Sequence, residues 1–197
     1  PSFDINSSCS SVAAQLNFLN MMNVDKLPPY VLLVNPSNST RFVDYADRSS
    51  AVLWGDCTNA MVVSTKHPSK VVVTHTMLES SPSGWKKVQF PRIGHFTQEG
   101  RTVQTFAIKK SIKVIKNLRE HISGEEISNV KFIGHQANLM MLDSVCRMME
   151  INEENHIYNV DEYGNCGAAG APSNLSMNWD HLKSGEKIIM AVVGAGL

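Results

Sequence analysis

Apolar positions along the chain follow two rhythms. A strand-like run at residues 3–5 enters the small polar turn Asn6-Ser7-Ser8-Cys9-Ser10-Ser11. Beyond it Val12, Ala13, Leu16 and Leu19 recur at helical spacing, which predicts a helix with those residues on one face. Serines are common helix caps, so the turn predicts Cys9 at a helix start, where unpaired N–H groups and the dipole favour a thiolate. Leu27-Pro28-Pro29 stops the helix, and residues 30–34 predict a fully buried strand. Residues 35–39 read as a loop, 50–56 and 60–64 as strands around a turn or bulge, and 70–76 as another β-branched strand. Residues 79–100, with Trp85 and Phe90 among Ser, Pro and Gly, predict a long loop of the kind that often carries function or is pinned by its aromatics.

The second half alternates more regularly. Phe106, Ile108, Ile112, Ile115 and Leu118 mark the apolar side of a helix over 102–121, closed by Gly124. A strand at 130–133, a turn at 134–138 and a helix over 139–149 follow, the last with Leu142, Cys146 and Met149 on one face. Then come a strand at 156–160, a glycine-rich turn at 163–170, a small-residue helix to about 182 and a strand at 187–193. Strands alternating with helices predict a layered α/β fold with parallel pairing. The unit strand–small turn–helix recurs at Cys9, His135 and Asn165, which implies two related halves.

Composition narrows the class. A chain of 197 residues with 43% hydrophobic and 18% charged residues is an ordinary globular protein. Lys+Arg and Asp+Glu are both 18, so no net field attracts nucleic acid or an anionic membrane. The lysines of 109–116 read as a solvated helix face. Cys9, Cys57, Cys146 and Cys166 form no C-x-x-C pair and, with the histidines, no zinc-ligand spacing; a reduced cytoplasm and no metal are expected. The longest apolar run, 188–193, is far too short to span a membrane. The chain begins at Pro1 and stops at Leu197 inside an apolar run, so a longer or split protein is expected.

The recurring turns carry a coherent chemistry. Each candidate sits at the C-terminal end of a strand, and in layered α/β folds such ends gather on one edge where sites form. A cysteine thiolate holds an acyl group as a thioester. An imidazole N–H and a carboxamide N–H beside it stabilise an oxyanion or enolate. Each residue alone also has an ordinary structural explanation: a filler thiol, a hydrogen-bonded histidine, a turn asparagine. His75 and His95 have no partner that the sequence reveals, and Cys57, Cys146 and Cys166 read as small buried fillers.

Gly134-His135-Gln136-Ala137-Asn138 and Tyr163-Gly164-Asn165, followed by Ala168-Ala169 and Pro172, resemble the signature motifs of the β-ketoacyl-acyl-carrier-protein synthase III group of the thiolase-like superfamily. The segment Asp4-Ile5 to Cys9-Ser10 resembles its nucleophile segment, and Val193-Gly194-Ala195-Gly196-Leu197 its glycine-rich loop. The resemblance implies a thiolase-like layered αβαβα fold. Residues 1–66 would be the end of the N-terminal half, carrying the nucleophile, and 67–197 most of the C-terminal half, carrying His and Asn; the N-terminal part of the fold and the last strand would be missing.

It also implies an acyltransferase-type activity. Cys9 would take an acyl group from acyl-CoA, and a malonyl thioester, on acyl-carrier protein or coenzyme A, would lose carbon dioxide with its enolate held by His135 and Asn165. Backbone N–H groups of Cys9 and Ala195 would form the oxyanion hole, with Asn138, Gly194 and Gly196 against the substrate. No metal or redox cofactor is implied. A homodimer through the strand at 30–34, or assembly with the missing N-terminal portion, would complete the fold. Met140 stands where the group commonly carries a carrier-docking Arg, Val193 where a Phe packs, and Cys57 and Asn59 alter a glycine-rich pattern. Transfer of the Cys9 acyl group to an alcohol or amine without decarboxylation, and a non-catalytic partner subunit, are the other readings.

Overall fold

The computed structural model describes residues 2–91, 93–122, 124 and 126–196. A 3-10 turn, Ser8–Ser10, runs into helix α1 (Ser11–Met21). Strands β1 (Val31–Asn38) and β2 (Asp56–Val63) follow, then β3 (Val88–Gln89), β4 (Thr97–Gln98) and helix α2 (Gly100–Arg119). Next come β5 (Lys131–Gly134), α3 (Leu139–Met149), β6 (His156–Ile157), α4 (Val160–Tyr163), α5 (Gly170–Met177) and β7 (Ile188–Ala191).

The expected parallel pairing is present in the second half. Its sheet has the order β6-β5-β7, with both pairings parallel. α2 and α3 cover this sheet through Ile115, Met141, Leu142, Val145 and Met149, which pack with Phe132 and Ile189. The helical spacing of those residues puts them on inward faces, and burying each contributes about 1.5–3 kcal/mol. Cys146 is part of this core, as expected. The lysines of α2 face outward, and Lys110 and Lys113 both reach Glu79.

The first half departs from several expectations. β1 continues through Asn35 and Pro36 to Asn38 instead of ending in a loop, because β2 pairs antiparallel with it along that whole length. The strand expected at 50–56 is mostly turn, with Trp54 making an isolated bridge to Asn165. Residues 70–76 form no strand, and Val72 and Val73 are exposed: β-branched propensity yields a strand only where a neighbour pairs with it. The long loop contains the β3–β4 hairpin. Phe90 packs with Trp54, Phe42 and Phe96, which pins this segment, whereas Trp85 is exposed. The strand expected at 156–160 ends at Ile157, and its tail turns into α4.

α1 also buries a different face from the one its apolar spacing predicts. Val12, Ala14 and Gln15 are buried, while Ala13, Leu16 and Leu19 are half-buried. Asn35 Nδ2 donates to Gln15 Oε1 at 3.0 Å, so a polar pair occupies the helix–sheet contact. The opposite face of β1–β2 leaves Leu32, Val34 and Val62 exposed. Among the described residues no helix is long and apolar enough to cross a membrane.

Candidate active site

Parallel register sets the location of the site. Gly134 at the end of β5 lies opposite Ala191 at the end of β7, and Ile133 lies beside Ile157 of β6. His135 and residues 192–196 therefore leave the sheet at the same edge. The cavity of about 230 Å³ lined by Lys131, His156 and His181 adjoins Lys131, at the other end of β5.

The nucleophile turn packs directly on this edge. A Cβ at Gly194 would overlap Ser7 O and would stand 2.5 Å from Ser10 Oγ, so only glycine lets this backbone lie against the turn that holds Cys9. The same turn packs against the 3-10 turn Gly167–Ala169, just beyond Asn165. A Cβ at Gly170 would stand 3.1 Å from Gln136 Cβ, which brings the start of α5 onto the residue after His135. The structure thus joins the Cys9, Asn165 and 194–196 segments by direct packing, and ties the His135 segment to them through Gln136.

Cys9 is 9% exposed and belongs to the turn Ser8–Ser10 ahead of α1. Ser8 has φ 51°, a left-handed conformation unusual for a side-chain-bearing residue, and strain of this kind clusters at functional turns. Asn6 Oδ1 accepts the Ser8 N–H at 2.8 Å and holds the bend. The serines do not cap the helix as expected. Ser10 Oγ donates to Ser7 O and Ser11 Oγ to Ser8 O, so their hydroxyls serve turn carbonyls, and Ser11 Oγ accepts from Ser7 N–H. The expected thiolate is not favoured either. Burial pushes the Cys9 thiol up to about 11, outweighing the Ser8 hydroxyl and the Cys9 N–H that favour the anion. No carbonyl among the described residues accepts the Cys9 or Ala195 N–H.

His135 follows β5, and its carbonyl accepts the Ala137 N–H at 2.8 Å in a tight turn. Burial lowers its imidazole to about 4, so it is neutral at physiological pH, with one N–H donor and one basic nitrogen. Asn165 is 6% exposed and anchored through its backbone: its N–H donates to Leu53 O at 2.7 Å, and its carbonyl accepts from Gly55 N–H at 3.2 Å. Gly167 N–H donates to Asn165 Oδ1 at 3.0 Å, which fixes the carboxamide orientation and leaves Nδ2 with no partner among the described residues. Asn138 has a structural duty, as N-cap of α3, with Oδ1 accepting Met141 N–H at 3.1 Å. Gly196 is at φ 94°.

Several participants escaped sequence reading. Trp54 and Leu53 clamp Asn165, Ser37 Oγ faces the Gly167 turn, and Asn159 and Asn174 lie buried between the segments of His135 and Asn165. Cys166 is 3% exposed, with its thiol on Tyr163 O, and Cys57 is half-buried. His75 does have a partner, stacking on His121 at 4.1 Å. Among the described residues no cluster of three or more His, Cys, Asp and Glu is placed to hold a metal.

The α/β fold, with the parallel sheet edge that carries His135 and the packed segments of Cys9, Asn165 and 194–196, is of the thiolase-like class. Residues 3–82 match the profile for 3-oxoacyl-[acyl-carrier-protein (ACP)] synthase III, and residues 119–197 the profile for the C-terminal region of that synthase. The chain belongs to the 3-oxoacyl-[acyl-carrier-protein] synthase III family. It is 31% identical over 199 residues to the β-ketoacyl-[acyl-carrier-protein] synthase III of Neorickettsia sennetsu, covering 99% of this chain and 63% of the relative. The synthase of Rubrobacter xylanophilus is 29% identical, with 98% and 62% covered. The crystal structure of the Aquifex aeolicus synthase superposes with TM-score 0.89 at 27% identity, over 99% of this chain and 64% of that one. The chain therefore spans a little under two thirds of the length of these relatives.

Proposed function

We propose that this chain provides the catalytic residues of a decarboxylating Claisen condensation that joins an acyl group to a malonyl thioester in fatty-acid or related biosynthesis. The packing of Gly194 on the Cys9 turn is the observation that carries the reading, since it sets the Ala195 N–H in the segment lying against the nucleophile. Cys9 Sγ attacks the acyl-CoA thioester carbonyl. Neutral His135 takes the thiol proton, which passes to the departing coenzyme A sulfur. The Cys9 and Ala195 N–H groups hold the tetrahedral oxyanion. A malonyl thioester, on acyl-carrier protein or coenzyme A, then loses carbon dioxide. Its enolate oxygen is held by the His135 N–H and Asn165 Nδ2, and its carbon attacks the acyl-Cys9 carbonyl. Cys9 leaves as thiolate and takes a proton from solvent. These steps call for no metal or redox cofactor.

The partnerless Asn165 Nδ2 favours this reaction over simple acyl transfer, which needs a base but no second enolate donor. It also speaks against a non-catalytic subunit. A cytoplasmic setting is part of the proposal, supported by four free thiols. So is a homodimer, or assembly with further polypeptide of the fold, across β1: Leu32 and Val34 are exposed there, and an uncovered strand edge invites pairing. Incubation with a panel of acyl-CoA thioesters should add an acyl mass to Cys9, and a malonyl thioester should then release carbon dioxide. Absence of the adduct would remove the proposed reaction; an adduct without carbon dioxide would leave acyl transfer.

A further inference from the structure

A chain of buried carboxamides links the segment of His135 to both flanks of Asn165. Gln136 is 1% exposed; its Nε2 donates to Gly134 O at 2.9 Å, and its Oε1 accepts the Asn159 N–H at 3.1 Å. Asn159 caps the short helix α4, with its carbonyl accepting from Tyr163 N–H at 3.0 Å, and α4 delivers Gly164 and Asn165. The side chain of Asn159 continues the link. Oδ1 accepts from Asn174 Nδ2 at 2.9 Å, and Nδ2 donates to Ser173 Oγ at 3.1 Å. Asn174, 1% exposed on α5, also donates to Gly170 O at 3.1 Å, and Gly170 lies against Gln136. Three hydrogen-bonded links run from 136 to 159, 159 to 174 and 174 to 170, and van der Waals contact between Gly170 and Gln136 closes the ring.

Asn174 Oδ1 has no partner among the described residues, so this buried network carries a cost, and the bonds it does make are held rigidly in place. An apolar contact would pack these segments equally well without fixing their register. Hydrogen bonds are directional, so this run of them fixes the relative position of the turns more closely than an apolar contact does. We infer that Gln136, Asn159 and Asn174 are positioning residues that hold His135 and Asn165 at one spacing, so that both donors meet the same enolate oxygen. The inference rests on the proposed decarboxylating reaction. It predicts that the ring serves the decarboxylation step and not the loading of Cys9, whose turn contacts Gly194 and the turn Gly167–Ala169, outside the ring.

Asn174→Leu keeps the branched shape of the side chain, at a somewhat larger volume, and removes both donors, leaving Asn159 Oδ1 unpaired. Asn174→Asp puts an oxygen against Asn159 Oδ1 and Gly170 O; it restores one donor only when the new carboxyl is protonated. On the full-length protein, Asn174→Leu is expected to slow carbon dioxide release from a malonyl thioester by about thirtyfold or more, while acyl loading of Cys9 changes by less than about threefold. Asn174→Asp is expected to lose activity likewise at neutral pH and to recover it as pH falls, whereas the Leu variant does not. A wild-type protein that loads Cys9 but releases no carbon dioxide would overturn the proposed reaction and this inference with it. Wild-type release that is unchanged in Asn174→Leu would overturn the inference alone. Loading and release that fall in parallel, or an Asp variant with no recovery at low pH, would show a merely structural network and overturn it as well.

Discussion

Gly194→Ala tests the contact on which the site is built. The new Cβ would overlap Ser7 O and stand 2.5 Å from Ser10 Oγ, where ordinary contact begins near 3.4 Å, so Ser10 Oγ alone must retreat by 0.9 Å (3.4 − 2.5). It has little freedom to do so. Ser10 Oγ is bonded to Ser7 Oγ and Ser7 O, both at 2.7 Å, and Ser7 O also accepts Ser10 N–H at 3.0 Å. The strain falls on the Cys9 turn or on the 192–196 segment, moving the two proposed oxyanion donors apart. Overpacking of this kind costs about 1–3 kcal/mol of stability. A misplacement near 1 Å costs about a hundredfold in rate. Urea unfolding reads the first effect, and time-resolved mass spectrometry of the acyl-Cys9 adduct reads the second. Gly100→Ala is the control: its Cβ meets nothing nearer than 3.9 Å, and it should be neutral in both assays. A Gly194→Ala protein that acylates within about threefold of wild type, at unchanged stability, would refute the placement of this glycine on the nucleophile turn.

Asn165→Asp keeps an oxygen for Gly167 N–H but replaces the partnerless Nδ2 with a second acceptor; carbon dioxide release should fall by about 10²–10³, with Cys9 loading little changed. Because burial holds the Cys9 thiol near 11, its alkylation by iodoacetamide, followed by mass, should rise about tenfold per pH unit from pH 7 to 10; a plateau below pH 8 would mean an activated thiolate. His135, lowered from 6.5 to about 4, binds its proton more weakly folded than unfolded, so its contribution to stability is present above pH 6.5 and is lost as pH falls toward 4. Urea midpoints should decline across that window by an amount equivalent to roughly 1–3 kcal/mol, less in His135→Gln, and equal decline in both proteins would assign the effect elsewhere.

What the sequence disclosed followed from local rules. The turns at Cys9, His135 and Asn165 were legible as clusters of small polar residues between apolar runs, and the motif resemblance ordered them; only His135 follows a strand, since residues 3–5 form none and α4 precedes Asn165. The first half was less legible for an equally physical reason: it places polar residues where pattern reading expects a loop or an outer face. Asn35 and Pro36 look like turn residues, yet they lie inside β1 because Asn59 and Thr58 of β2 stand opposite, and Asn35 finds Gln15 beneath it. Gln15 is polar, so the apolar spacing of α1 misassigned its buried face. Residues 70–76 carry strong β propensity without a paired neighbour. The ring of Gln136, Asn159 and Asn174 left no trace, since asparagine near glycine is ordinary turn chemistry and only the fold reveals that these amides meet.

The burial of Cys9 reverses the chemistry that its place at a helix start implies, and the reversal is consistent with the rest of the site. Burial that keeps the thiol protonated also keeps the partly buried His135 neutral. A protonated imidazole would strengthen the enolate contact but would no longer offer a basic nitrogen to the thiol. A thiolate beside a neutral imidazole would need no base, yet would repel the enolate that must form next to it. With both groups uncharged at rest, the proposed steps charge His135 and Cys9 only transiently, and the charge that develops on substrate oxygens meets the Cys9, Ala195 and Asn165 N–H groups. In a water-poor site such fixed donors act far more strongly than they would in water. Helix-start placement therefore does little for the acidity of the thiol, and its distinctive local feature is the strained bend at Ser8.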